Sequence, residues 1–186
     1  MTSIVYPTTN LKHVEQLNIV RGGGVYVYDD SGKEYLEGLA GLWCASLGYG
    51  NAELIEAITD QLKTLSYSHM FGGRTHNVVI QLAEQLSDML PVKNSKIFFA
   101  NSGSEANDSH IKMLRYYFNV TGEPQKKKII ALERSYHGVT VASAALTGLP
   151  ANHTHFDLPV DALGVIRAES PHYYRGRKDN ETEREF

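Results

Sequence analysis

Ile97-Phe98-Phe99-Ala100-Asn101-Ser102-Gly103-Ser104-Glu105-Ala106-Asn107 is the stretch that decides the fold. Its first four residues are wholly apolar and bounded by Lys96 and Asn101, which reads as a short strand buried on both faces. The rest reads as a loop entering a helix over about Gly103 to Asn119, with Ala106, His110, Ile111, Leu114, Tyr117 and Phe118 on one side. Ser102 and Glu105 have capping-box spacing, so the hydroxyl can accept from the Glu105 N–H and the carboxylate can reach back. Gly103 and Ser104 are then the first helical residues, whose N–H groups lack intrahelical partners. Free donors at the positive end of a helix dipole favour a dianionic phosphate. Gly103 allows close approach and Ser104 adds a hydroxyl. On spacing alone, a well-capped helix with no ligand is the simpler reading, because S-x-x-E is common.

Working outward, Lys126-Lys127-Lys128 leads into a second apolar run, Ile129-Ile130-Ala131-Leu132, again read as a buried strand, and Val139 to Thr147 reads as helical. Upstream, residues 76–90 carry a helical stripe ended by Pro91, and residues 51–66 carry another, Leu54, Ile55, Ile58, Leu62 and Leu65, with Asn51 as N-cap. Strand, helix, strand, helix with short links predicts a parallel α/β sheet, and such sheets bind ligands at the carboxyl ends of their strands. Nearer the start, Val25-Tyr26-Val27-Tyr28 and Glu34-Tyr35-Leu36 flank Asp29-Asp30-Ser31-Gly32 as a β-hairpin. Gly22-Gly23-Gly24 precedes a strand and lacks the spacing of a nucleotide loop, so it reads as a hinge or turn. Beyond Gly148 the apolar periodicity fades, and Arg175 to Phe186 is nearly all polar. The expectation is a chain that stops before its sheet is complete.

The composition narrows the function classes. Of 186 residues 42% are hydrophobic and 21% charged, with a net charge of −3, so no field of one sign suggests nucleic acid or an anionic membrane. The single cysteine, Cys44, excludes an internal disulfide and fits a reducing compartment; its apolar neighbours predict a buried, inert thiol. Met1 to Asn10 lacks the pattern of a signal peptide and no apolar run reaches membrane-spanning length, which gives a cytoplasmic expectation. His153 and His155 lack supporting ligands, so no metal site is expected. Asp29, Asp30 and Asp60 read as turn and surface residues.

Taken with its surroundings, Asn101-Ser102-Gly103-Ser104-Glu105-Ala106-Asn107-Asp108 resembles the segment by which class III aminotransferases hold the phosphate of pyridoxal 5'-phosphate. Gly41-Leu42-Trp43-Cys44 with Gly48-Tyr49-Gly50-Asn51 resembles the same family, as do His69-Met70-Phe71-Gly72-Gly73-Arg74-Thr75-His76 and Ser135-Tyr136-His137-Gly138-Val139-Thr140. Leu146-Thr147-Gly148 and Pro171-His172-Tyr173-Tyr174-Arg175 follow in the family's order. The likeness is strongest to the ω-amino-acid and amine:pyruvate transaminases.

This resemblance implies the α/β fold of type I pyridoxal-phosphate enzymes in incomplete form. Residues 1–45 would be an N-terminal segment of the small domain with its hairpin, and 46–186 the first part of the large domain. It implies cofactor contacts by Ser102, Gly103, Ser104, Tyr136 (stacked on the ring) and His137. The substrate pocket would include Trp43 and Phe71, with Tyr67 and Met70 as weaker candidates. The partners implied are a small-molecule amine and a keto acid such as pyruvate, with a homodimer in the complete family member and neither nucleic acid nor membrane. In the family, the Schiff-base lysine and the acid that pairs with the pyridinium nitrogen lie beyond the position of Phe186. No catalytic residue is therefore assigned, Lys112 included, and the chain alone is expected to be inactive. The alternatives are a non-catalytic remnant needing a complementary chain, or an enzyme of the same fold with racemase, mutase or decarboxylase chemistry.

Overall fold

The computed structural model describes residues 3–186, so Met1 and Thr2, at the start of the segment searched for a leader, lie outside the described residues. The chain divides into two compact units, one ending at Ile80 and the other beginning at Gln81.

In the first unit, strands β1 (Ile19–Gly23), β2 (Tyr26–Asp29) and β3 (Glu34–Leu36) form an antiparallel sheet in the order β1-β2-β3. The expected hairpin is the β2–β3 pair, with Val27 opposite Tyr35. The extra strand corrects the reading of the triple glycine. Gly22 and Gly23 belong to β1, and only Gly24, with φ of 58°, makes the turn. Gly22 pairs with Val27, and glycine is required there because a Cβ would stand 2.6 Å from the Tyr49 ring. Gly24 and Tyr49 exchange backbone hydrogen bonds of 2.9 and 2.8 Å beside it.

Asp29 is buried, which corrects its assignment to the surface. One carboxylate oxygen accepts from the Ser31 N–H (2.9 Å), the Ser31 hydroxyl (2.6 Å) and the Lys33 N–H (3.0 Å); the other accepts from the Tyr35 hydroxyl (2.8 Å). These bonds compensate its burial and tie the turn to β3.

The short helical stretch α1 (Ala40–Trp43) has positive φ at all four residues and so winds left-handed. Cys44 follows it and is exposed, so the expectation of a buried thiol fails: its apolar neighbours Leu42 and Trp43 are themselves exposed, at 61% and 75%, and form no core around it. Helix α2 (Ala52–Thr64) starts as predicted, with the Asn51 side chain accepting from the Leu54 N–H at 3.1 Å. A 3-10 turn, Phe71–Gly73, precedes helix α3 (Asn77–Met89), within which the two units divide and after which Pro91 follows.

The second unit begins its site-bearing part with Ile97–Ala100. These residues form no strand, and Phe98 is 62% exposed. An apolar run becomes a strand only when a neighbour takes its N–H and C=O groups, and among the described residues none does. Helix α4 (Gly103–Val120) follows, then strand β4 (Ile129–Leu132), helix α5 (Val141–Leu146), the short helix α6 (Val160–Leu163), strand β5 (Val165–Ala168) and the single turn α7 (Tyr173–Gly176). β4 and β5 pair in parallel, Ile129 with Val165 through Leu132 with Ala168. Ile111 of α4, Ala131 of β4 and Leu146 of α5 form the core, with Ile129, Ala142 and Val165 packed against it. β4 is buried on one side only, because Ile130 is 73% exposed and Ala131 is buried.

The packed face of α4 also departs from expectation. Ile111 is buried, but Leu114 and Tyr117 are exposed. The half-buried positions are Ser104, Ala106, Asn107, Asp108, Ser109, Arg115 and Phe118, so the expected Ala106 and Phe118 do pack, beside a stripe of polar groups that outnumber them. The reason lies in what the stripe meets, the polypeptide that follows β4.

Candidate functional site

Helix α4 begins with the cap that its sequence promises. Ser102 is extended (φ −153°, ψ 158°), and its hydroxyl accepts from the Glu105 N–H at 3.1 Å. The Glu105 carboxylate reaches one residue further back than an ideal capping box, accepting from the Asn101 N–H at 2.9 Å. The Gly103 and Ser104 N–H groups have no hydrogen-bond partner among the described residues. A Cβ on Gly103 would meet nothing within 4 Å, so the space beside these donors is open. Two free amides, an open approach and a helix of 18 residues behind them suit a phosphate group.

The segment after β4 is fastened to this helix end. Ser104 Oγ accepts from the Val139 N–H (3.0 Å), the Asn107 amide donates to the His137 carbonyl (2.6 Å), and Asp108 accepts from the Thr140 hydroxyl (2.8 Å) and the Ser143 N–H (3.1 Å). Ser104, Asn107 and Asp108 are spaced i, i+3, i+4, hence one face of α4. Gly138 lies between the two walls with φ of 133°, where a Cβ would come within 2.4 Å of Ser143 Oγ and 2.5 Å of Ser104 Oγ. On the far side, buried Thr147 accepts from the His137 N–H at 2.9 Å. Its hydroxyl also lies 3.2 Å from the Gly138 carbonyl.

The structure thus brings Ser102, Gly103, Ser104, Tyr136 and His137 into one neighbourhood at the carboxyl end of β4. Tyr136 is 58% exposed, which leaves its ring available to a flat ligand. The His137 ring lies 3.0 Å from the Ser135 hydroxyl, and its backbone is bonded to Asn107 and Thr147. Trp43 and Phe71 belong to the first unit, at 75% and 87% exposure. Trp43 is displayed by the left-handed turn α1, and Phe71 opens the 3-10 turn, its N–H donating to the His69 ring at 3.1 Å. His153, read as a surface residue, has a ring nitrogen 2.5 Å from the Thr147 carbonyl.

Sequence reasoning missed Asn107, Asp108, Thr140, Ser143, Thr147 and Arg167. The i, i+3, i+4 run of short polar residues on α4 was the available signal for the first two. Arg167 on β5 donates to the carbonyls of Ala145 (2.6 Å), Leu146 and Thr147 (2.8 Å), closing the carboxyl end of α5. A separate cleft of about 360 Å³, lined by Glu133, Arg134, Glu169, Ser170, His172 and Arg175, contains none of the residues expected at the site.

Comparison with known proteins shows the family. The profile of the family "Aminotransferase class-III" matches residues 8–186. The chain is 49% identical to gamma-aminobutyrate transaminase 1, mitochondrial, of Oryza sativa subsp. japonica, over 93% of this chain and 33% of that protein. It is also 49% identical to vanillin aminotransferase of Capsicum frutescens, over 93% and 38%. The chain therefore spans about a third of the length of these curated relatives. Among solved structures, the ω-transaminase of Pseudomonas jessenii in complex with PMP superposes with a TM-score of 0.93 at 48% identity, covering 98% of this chain and 40% of that one. A thermostable form of that enzyme with a tryptophan replaced by glycine, engineered for asymmetric synthesis of enantiopure bulky amines, matches at 47% identity and TM-score 0.93, covering 98% and 41%. The expected α/β fold of type I pyridoxal-phosphate enzymes holds for this part of the molecule. The chain belongs to the class III aminotransferases, a family that uses pyridoxal phosphate.

Proposed function

We propose that this chain forms the phosphate grip and ring platform for pyridoxal phosphate in a transaminase that moves an amino group between a primary amine or ω-amino acid and a keto acid such as pyruvate. The observation that carries the reading is the start of α4, where the unpaired Gly103 and Ser104 amides stand on the same fastened block as Tyr136. Pyridoxal phosphate, when bound, supplies the electron sink for amine chemistry. The chain's own residues do the holding. Gly103 and Ser104 donate to the phosphate, Ser102 and Glu105 keep that helix end formed, Tyr136 stacks on the ring, and His137 fixes the Tyr136 segment from beside it.

Trp43 and Phe71 act in this proposal as walls of the substrate pocket. Their exposure, and the tryptophan change in the Pseudomonas jessenii variant engineered for bulky amines, support that role. Residues 1–45 go with the small domain and 46–186 with the large one, in a homodimer of the complete enzyme. A cytoplasmic location belongs to the same proposal and rests on the single free cysteine; no helix among the described residues is long and apolar enough to cross a membrane. The relatives matched above are transaminases, which disfavours racemase, mutase or decarboxylase chemistry and a non-catalytic remnant.

Equilibrium dialysis tests the grip. The chain retains pyridoxal phosphate, inorganic phosphate competes, and pyridoxal without its phosphate is not retained. Failure of phosphate to compete would overturn the assignment of Gly103 and Ser104. No lysine here is assigned the covalent role, so adding an amine donor gives neither turnover nor a borohydride-trapped lysine adduct. Either product would overturn the proposal that the chain alone is inactive.

A further inference from the structure

We infer that Asp108 is a positioning residue: through Thr140 and Ser143 it sets where the Tyr136 ring stands relative to the phosphate donors of Gly103 and Ser104. This rests on the cofactor reading above and concerns how accurately the cofactor is held.

The observation is a helix cap supplied in trans. Thr140 occupies the N-cap of α5 but makes no side-chain cap of its own. An N-cap threonine ordinarily accepts from the N–H three residues on, here that of Ser143. In this molecule the Ser143 N–H goes to Asp108 Oδ1 at 3.1 Å, and the Thr140 hydroxyl donates to the same oxygen at 2.8 Å. The acceptor thus comes from another helix, 35 residues earlier in the chain than Ser143. The cap of α5 and the tie between α4 and the segment before α5 are therefore one group.

The effect propagates to the ring because the segment has little slack. Asn107 holds the His137 carbonyl at 2.6 Å and Ser104 holds the Val139 N–H at 3.0 Å. Gly138 between them has no room to move towards α4, since even a Cβ would clash with Ser104 and Ser143. Tyr136 adjoins His137, so its backbone inherits the register that α4 imposes. The same helix presents the Gly103 and Ser104 amides, which places both ends of the cofactor under the control of one rigid element.

The Thr140 hydroxyl already lies 2.6 Å from Ser143 Oγ, so removing the Asp108 carboxylate leaves it free to accept from the Ser143 N–H as well. Helix α5 then keeps a local cap, while the tie to α4 at this point is lost. The expected phenotype is accordingly a loosened ring with an intact phosphate grip.

Equilibrium dialysis and induced circular dichroism of bound pyridoxal phosphate, run on the full chain, test this. Asp108→Ala is expected to bind inorganic phosphate as the unaltered chain does. It should bind pyridoxal phosphate about tenfold more weakly, the size of one misaligned aromatic stack, and lose the induced dichroic band. Asp108→Asn keeps an oxygen acceptor for both donors and is expected to restore affinity and band. Should Asp108→Ala not fold, Thr140→Val removes one of the two bonds to that oxygen and leaves the Ser143 N–H on it, so a smaller weakening in the same direction, with inorganic phosphate again unaffected, is expected. Equal weakening of both ligands, or an unchanged band, would overturn the positioning role while leaving the cofactor reading in place. No retention of pyridoxal phosphate by the unaltered chain would overturn that reading and this inference together.

Discussion

Asp29 closes the turn between β2 and β3 by accepting four hydrogen bonds, and the same bonds make it an acid-sensitive residue. Hydrogen bonding from the Ser31 hydroxyl, then from Tyr35, holds its carboxyl at about 2, below the ordinary 3.8. A folded-state value below the unfolded one means that the unfolded chain binds the proton more readily. The contribution of Asp29 is therefore complete above about pH 4 and is lost as pH falls from there through about 2. Urea titrations at stepped pH, following a β-sheet amide such as that of Val27, should show this decline. Asp29→Asn should flatten it at the expense of stability at neutral pH, and an unchanged acid limb in that variant would refute the assignment. Gly138 shows a different residue-scale constraint, being fixed by space and by backbone at once. Gly138→Ala has to displace Ser143 Oγ or Ser104 Oγ at a φ of 133°. The expected loss is about 2 kcal/mol, measured as a lower midpoint of chemical unfolding.

At the scale of elements, α4, α5 and β5 share the Ile111–Leu146–Val165 apolar contact and are also tied by side chains that bind backbone. Arg167 is the clearest case, since one guanidinium serves three carbonyls at the end of α5. Arg167→Met keeps the aliphatic stem and leaves those carbonyls without their donor. We expect about 2 kcal/mol of destabilisation and faster hydrogen exchange in α5; exchange rates matching those of the unaltered chain would refute this. The same elements separate what could be read in advance from what could not. The start of α4, the cap of α2 and the β2–β3 hairpin carry their signals within four or five neighbouring residues, and all three form as expected. Ile97–Ala100 and β5 depend on a partner strand elsewhere in the chain. Apolarity therefore over-called the first, and Arg167 within Val165–Ala168 hid the second. On α4 an apolar stripe was expected to face inward; Ala106, Ile111 and Phe118 do so, but Leu114 and Tyr117 do not, and the polar Ser104, Asn107 and Asp108 pack as well. Periodicity reports which side chains avoid water; it cannot report that a polar side chain has a backbone partner 30 or more residues away. For the same reason the phosphate grip was visible in the sequence, whereas the residues that fasten Tyr136 to it were not.

Over the whole molecule, among the described residues, α2 and α3 form with the expected periodicity but leave much of their apolar sides exposed. Helix α2 has Leu54, Ile55, Ile58 and Leu62 each more than two-fifths exposed, followed by Leu65 at 42%. A contiguous apolar face of this kind is unusual on a soluble monomer and marks a surface prone to association. Helix formation itself does not require the cover here, because Asn51 caps α2 and charged Glu53 and Lys63 lie at its favourable ends. The stripe can therefore be altered without dismantling the helix. We expect the chain to bind a hydrophobic dye such as ANS and to show sedimentation coefficients that rise with concentration. The double substitution Ile58→Glu with Leu62→Lys interrupts the stripe and adds an i, i+4 pair in its favourable orientation. Helicity should be preserved, dye fluorescence should fall several-fold, and the concentration dependence should weaken. A single sedimenting species with little dye binding before any substitution would show that this face is not what drives association. If both properties persist in the double variant, the responsible surface lies elsewhere among the exposed apolar residues, with the stripe of α3 (Val78 and Leu82) the next to be charged.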